Sequence, residues 1–161
     1  MEFEHEIVVL LASLRERAPA GFAIALHVRF AAPTYLFQTY PPEWRDAYSQ
    51  HGYVMSDPTV HWGLAHSGYI TWDQLSRDDP AGVLAHAARF GMSHGVTIAT
   101  GEGGSQSLAS FSRPDRDYDA GEIGQLDADF LILHQRTSGL SSLSPETAEA
   151  LRRLSVTVTH R

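Results

Sequence analysis

GVTIATGEGGSQSLASFS, residues 95–112, is the stretch on which the fold turns. Gly95–Thr100 and Ser107–Ser112 read as strands, and Gly101-Glu102-Gly103-Gly104 supplies the turn of a hairpin between them. Toward the C-terminus, residues 120–136 place Ile123, Leu126, Phe130, Leu131 and Leu133 in an amphipathic helical pattern. Toward the N-terminus, Ala81–Phe90 is an alanine-rich helix stopped by Gly91. Asp57-Pro58 resembles a helix start, with Asp57 as N-cap and Pro58 in the first turn. Pro41-Pro42 opens a further helix that runs to about His51 before Gly52. Phe22–Phe30 and Tyr35–Thr39 are rich in β-branched and aromatic residues around Ala31-Ala32-Pro33, a second hairpin. Phe3, Ile7, Leu10, Leu11 and Leu14 form the stripe of an N-terminal helix that Pro19-Ala20-Gly21 ends. The order is helix, hairpin, several helices, hairpin, long helix. Hairpins segregated by helices argue for an α+β fold, a central antiparallel sheet carrying helices on its faces.

Composition agrees with one domain. The 161 residues are 43% hydrophobic and 19% charged, the balance of a folded globule. No apolar run approaches the ~20 residues that span a bilayer. Ile7–Ala12 follows Glu2, Glu4 and Glu6, the wrong flank for a secretory signal. The chain has no cysteine, so it has neither a disulfide framework nor a thiol nucleophile, and a cytoplasmic location is expected. The formal charge is −7, with arginine the only basic residue besides histidine. The arginines are scattered singly apart from Arg152-Arg153, so there is no basic face of the kind that nucleic-acid binders present.

The chemistry concentrates in Tyr40-Pro-Pro-Glu-Trp44-Arg-Asp-Ala-Tyr48, continuing to Tyr53, Asp57-Pro58 and Trp72. Trp44 and Tyr48 are four apart and share one helix face. Tyr40 precedes proline and is expected to be extended. Trp44 brings an indole N–H, Tyr40 and Tyr48 bring hydroxyls, and an ionised Asp57 brings acceptors alone. A matching ligand has carbonyl oxygens for the donors and an N–H for the carboxylate. An amide between an acyl chain and a second carbonyl meets that demand, with the rings as apolar walls. Two plainer readings stand beside it: aromatics at helical spacing are ordinarily core, and Asp57 can be a simple helix cap.

The spacing Tyr-x3-Trp-x3-Tyr-x8-Asp-Pro-x13-Trp, at positions 40, 44, 48, 57, 58 and 72, resembles the autoinducer-binding domain of LuxR-type quorum-sensing regulators. Phe90-Gly91-Met92-x-x-Gly95-Val96-Thr97 and Leu108-Ala109-Ser110 are similar to the same family. The resemblance implies an α/β/α sandwich that holds an N-acyl homoserine lactone between the sheet and one layer of helices. By motif, Trp44 would donate to the lactone carbonyl, Asp57 would accept from the amide N–H, and Tyr40 would donate to the acyl carbonyl with help from Ser110. Tyr48 and Trp72 would wall the pocket, and Thr59 and Thr97 would line it. No cofactor beyond that ligand is implied. The family often carries proline where Tyr69 stands here, three residues before Trp72. Its regulators also continue into a helix-turn-helix domain. Leu143-Ser144-Pro145-Glu146-x4-Leu151 looks like the opening of such a domain, with Ser144 as cap. Residues 1–140 are therefore expected to be the sensor domain, and 141–161 a linker and the truncated start of the DNA-binding domain.

Rival classes are weaker. His61 and His66 are five apart, poor for one helix face, and no His-Glu-x-x-His pattern is present. Gly101–Gly104 lacks the Lys-Ser/Thr of a phosphate loop, and no metal is expected. A hydrolytic triad can be imagined from Asp57 or Asp73, a histidine and Ser110, but no Gly-x-Ser-x-Gly occurs, and the chain is not expected to be an enzyme. Expected partners are the lactone and a second chain, as a homodimer or as a heterodimer that silences a full-length regulator. The acidic balance generates a direct test. The chain should give no saturable, sequence-specific shift of a palindromic DNA site at physiological salt, with or without lactone. A specific shift would overturn this reading of charge and of residues 141–161.

Overall fold

Period-two alternation sorts the residues of the sheet onto two faces, and each face receives its own layer of helices. The computed structural model describes residues 2–29, 32–102 and 105–138, together with Pro145, Glu146, Glu149 and Arg153, which are helical. The elements in order are α1 (Glu2–Arg17), β1 (Gly21–Val28), β2 (Tyr35–Gln38), α2 (Pro42–Gln50), α3 (Pro58–Ala65), β3 (Gly68–Thr71), α4 (Trp72–Leu75), α5 (Val83–Ala88), β4 (His94–Glu102), β5 (Ser105–Arg113) and α6 (Ala120–Arg136). The strands lie in the order β2-β1-β5-β4-β3, and every pair is antiparallel. Both expected hairpins are present. The whole is an α+β sandwich.

On one face, Phe22, Ile24, Leu26, Phe37, Val96, Ile98, Ala109 and Phe111 pack against Ile7, Leu11 and Leu14 of α1 and Ile123, Leu126, Phe130 and Leu133 of α6. A capping box at Asp119 and Glu122 starts α6, each side chain satisfying the other's backbone N–H. On the other face, Trp44, Tyr53, Trp72, Leu75, Val83, Leu84, Ala87 and Met92, drawn from α2 to α5 and their connections, form a second cluster. Burying either set at ~25 cal/mol per Å² is the main force holding each layer to the sheet.

Three details differ from the expected boundaries. Helix α5 begins at Val83, two residues later than periodicity indicates, because the Asp79 carboxylate accepts the Val83 and Leu84 N–H groups at 3.1 and 2.9 Å. Strand β3 has no counterpart in the sequence reading. It is a four-residue edge strand, paired only with β4 and exposed over its first half, so it carries little apolar signal. Strand β1 spans Gly21–Val28, its register against β5 slips between Ala25 and Val28, and Phe30, the expected strand end, lies outside the described residues. Gly103 and Gly104 of the expected turn, and Ser144 of the expected cap, lie outside the described residues.

The slip in β1 has a chemical purpose. His27 sits there with φ of 53°, a left-handed conformation uncommon outside glycine. The bulge turns its ring onto His134 of α6, stacked at 4.6 Å between centroids. Nε2 faces the His134 carbonyl at 3.0 Å and so carries the hydrogen, leaving Nδ1 to accept from the Ser105 hydroxyl at 2.5 Å. The His27 backbone N–H donates to Ser107 Oγ at 2.9 Å, and that hydroxyl is hydrogen-bonded to His134 Nδ1 at 2.7 Å. Burial pushes the His27 imidazole below its ordinary range; the His134 carbonyl opposes this, and Arg29 adds to it. The unfolded chain therefore binds the proton first, and the stability due to a neutral His27 is full above about pH 6.5 and declines as pH falls below it. Unfolding free energies from pH 8 to 5 should show wild type losing stability relative to His27→Asn, a residue that tolerates positive φ. Parallel curves would contradict this role.

Candidate functional site

The register places a row without bulk across the sheet on the α2–α5 side. Gly21 pairs with Ser112, and Ser112 pairs with Gly95. A Cβ on Gly21 would stand 2.6 Å from Tyr40 Cδ1, and a Cβ on Gly95 would overlap the Trp72 indole. Glycine at these two positions lets both aromatic rings lie against the sheet backbone. The next row, Ala23–Ser110–Thr97–Ile70, brings the two expected polar lining residues side by side.

Helix α2 starts after Pro41, which is extended at ψ 140°, so Tyr40 lies outside the helix as its place before proline requires. One turn separates Trp44 from Tyr48, and their rings meet edge to face at 5.8 Å. Around Trp44 stand Tyr53 at 5.9 Å, His86 at 5.3 Å and Phe90 at 5.5 Å. Asp57 caps α3, and only 7% of it is exposed. Its Oδ1 accepts from the Thr59 N–H at 2.9 Å and the Thr59 hydroxyl at 2.7 Å, while Oδ2 accepts from the Tyr48 hydroxyl at 2.7 Å. Asp57 is thus a helix cap and at the same time the acceptor for the Tyr48 hydroxyl. A carboxylate offers about four acceptor positions, and three are used by protein donors.

Electrostatics keep the phenols protonated. Burial pushes the Tyr40 and Tyr48 hydroxyls well above the ordinary tyrosine range, and the neighbouring Asp57 carboxylate pushes both further. Both remain donors throughout the physiological range. On the sheet side the Trp72 indole N–H donates to Thr97 Oγ1 at 3.1 Å, and Thr97 Oγ1 lies 2.7 Å from Ser110 Oγ. Tyr48 and Trp72, expected as walls, are therefore hydrogen-bonding members of the site as well.

Tyr40, Trp44, Tyr48, Asp57 and Thr59 come from α2, α3 and the segment before them; Trp72, Thr97 and Ser110 come from α4, β4 and β5. The structure brings Tyr40, Trp44, Tyr48 and Trp72 into one apolar cluster. It pairs Asp57 with Thr59, and Thr97 with Ser110. Sequence reasoning missed His86 and Phe90 as neighbours of Trp44, since a lone histidine on an alanine-rich helix carries no signal of its partner. Gly21 and Gly95 announce their role only once register is known. Ser110 is bonded to Thr97 rather than to a histidine, and Asp73 pairs with Arg77 at the surface, so the imagined triad is not assembled. Among the described residues no cluster of three or more His, Asp or Glu can hold a metal. A separate cleft of about 260 Å³ lies between the end of α1 and α6, where Arg17, Arg113 and Glu122 are engaged in ion pairs.

Residues 16–137 match the model of the autoinducer binding domain. The chain belongs to the autoinducer-binding domain family of LuxR-type regulators. The transcriptional activator SolR of Ralstonia nicotianae is 32% identical over 123 residues, covering 72% of this chain and 52% of SolR. The chain thus spans about half the length of that relative. Among solved structures, the N-acylhomoserine lactone dependent LuxR family factor CepR2 from Burkholderia cenocepacia superposes with a TM-score of 0.57 at 20% identity, covering 83% of this chain and 94% of that one. Escherichia coli SdiA, in complex with octanoyl-rac-glycerol, gives 0.61 at 20% identity, covering 89% and 62%. These structural likenesses carry the fold: an autoinducer-binding sandwich with its motif residues on the α2–α5 side. Among the described residues no helix is long and apolar enough to cross a membrane.

The double duty of Asp57 generates a stability test. Asn at position 57 still caps α3 and should stay within about 1 kcal/mol of wild type, whereas Asp57→Ala loses the cap and strands the Tyr48 hydroxyl, costing about 1–3 kcal/mol. Chemical denaturation measures both, and an Ala variant as stable as wild type would contradict the network.

Proposed function

We propose that this autoinducer-binding domain binds an N-acyl homoserine lactone between the sheet and helices α2–α5, as the sensor of a LuxR-type regulator. The observation that carries the reading is the buried Asp57 carboxylate, with three of about four acceptor positions filled and two protonated phenols beside it. Its remaining position receives the amide N–H. Trp44 donates to the lactone carbonyl, Tyr40 to the acyl carbonyl, and Ser110 assists. Tyr48 and Thr59 hold Asp57 in place, and Trp72 with Thr97 closes the floor. These roles need binding and no turnover, so the chain acts as a receptor rather than a lactonase and acts in the cytoplasm. In this reading the role of the domain is ligand binding, and DNA contact is no part of it.

A second reading has a specific support. The SdiA complex holds an acylated glycerol, which has carbonyl and hydroxyl groups but no amide N–H. A ligand of that class here would use the tyrosine and tryptophan donors and leave the last Asp57 position to a hydroxyl.

Thermal unfolding against a panel separates the two. A ligand that binds only the folded chain contributes about 2.7 kcal/mol at a hundredfold excess over its Kd, which raises Tm by about 5–10 °C for a domain of this size. Some member of a set of acyl homoserine lactones of varied chain length should produce that rise, with the lactone recovered intact after long incubation. A rise with acylglycerols alone selects the second reading. Silence across the panel, with no ligand co-purified, removes both.

A further inference from the structure

Resting on that reading, we propose that Tyr53 and His86 form a positioning pair for Trp44, setting the direction of its indole N–H and hence the affinity for the lactone. Nothing in the motif points to either residue in this role; the juxtaposition emerges from the fold. Trp44 comes from α2, Tyr53 from the turn that follows it, and His86 from α5. The Tyr53 hydroxyl lies 2.8 Å from His86 Nδ1. That one bond ties the rotation of the His86 ring to the Tyr53 hydroxyl, and with the phenol as donor Nδ1 is the acceptor. That ring then stands edge-on to Trp44, 5.3 Å away at 83°.

His86 is only half-buried, so water competes for its ring nitrogens, and packing alone does not choose its orientation. Tyr53 is buried, and its own ring is 5.9 Å from both Trp44 and Tyr48. His51 stacks on the outer side of Tyr53 at 4.9 Å, its Nδ1 donating to the Ala47 carbonyl at 2.8 Å. Phe90 packs 5.7 Å from His86 and 5.5 Å from Trp44. Tyr53 is thus held from behind and presents its hydroxyl to a ring that has solvent as its alternative. The indole N–H is a single donor with one direction, and a hydrogen bond weakens steeply as its angle closes. A few degrees in Trp44 change what it offers a carbonyl, and Tyr53 and His86 act on the ligand through that indole.

The test uses the whole chain, with N-octanoyl and N-3-oxo-octanoyl homoserine lactone as probes. Tyr53→Phe keeps the ring and removes the hydroxyl alone; His86→Leu removes the acceptor; His86→Asn restores an acceptor oxygen near the Nδ1 position. Each of the first two should weaken binding by about three- to tenfold, and the double variant should be no weaker than the worse single, because one bond is shared. His86→Asn should recover part of the loss seen in His86→Leu. Labelling with 5-fluorotryptophan supplies a readout that needs no ligand: the chain has three tryptophans, and Trp44→Phe identifies the fluorine resonance of Trp44. Tyr53→Phe should move or broaden that resonance. An unmoved Trp44 resonance, or additive losses from the two single changes, overturns the proposal. If wild type binds neither probe, the lactone reading for these probes fails, while the fluorine spectrum still decides whether Tyr53 and His86 position Trp44.

Discussion

A carboxylate taken out of water must be given hydrogen bonds, and the site is organised around that demand at Asp57. Leaving such a group unpaired costs several kcal/mol. Three neighbours answer, the Thr59 backbone N–H, the Thr59 hydroxyl and the Tyr48 hydroxyl. Each answer constrains a larger piece of structure. The Thr59 N–H bond starts α3, and the Tyr48 bond ties α2 to α3. Tying Tyr48 places the α2 turn that carries Trp44, and the rings of Tyr53, His86 and Phe90 close around that indole.

The sheet supplies the complementary constraint. One face is mainly apolar and packs against α1 and α6, with the bonds among His27, Ser107 and His134 as its polar exception. The other carries small and hydroxylated residues at its centre, among them Gly21, Gly95, Thr97, Ser110 and Ser112, which is poor material for a core. Aromatic residues from the helical layer lie down on that surface and bring their polar tips with them. The result is an interior with rings for walls and a few hydrogen-bonding groups that converge, the composition small-molecule sites use. The two layers therefore differ in composition: one meets the sheet through aliphatic and phenylalanine side chains, and the other through aromatic rings with polar tips.

Much of this could be read before the structure. The hairpins, the long C-terminal helix, the proline-led start of α2 and the Asp57-Pro58 cap each follow from local chemistry. Side-chain types marked Asp57 as an acceptor, and it accepts from Thr59 and Tyr48; the spacing of rare residues pointed to the family. What escaped was set by distance along the chain. The glycine row depends on strand register, and β3 is too short and too exposed to announce itself. His27 with His134, and His86 with Tyr53, read as isolated residues because their partners lie 107 and 33 positions away. Tyr48 and Trp72 looked like walls because a ring's hydrogen bond depends on where the chain folds back.

The proposed recognition turns on one hydrogen bond, from a ligand N–H to the last acceptor position of Asp57. The direct measurement is the affinity of wild type and Asp57→Asn for an acyl homoserine lactone and for its ester analogue, in which oxygen replaces the amide N–H. Wild type should prefer the amide by about tenfold or more, the worth of a charge-assisted bond, and the Asn variant should hold the two ligands within about threefold of each other. An undiminished preference in Asp57→Asn, or equal binding of both ligands by wild type, would contradict it.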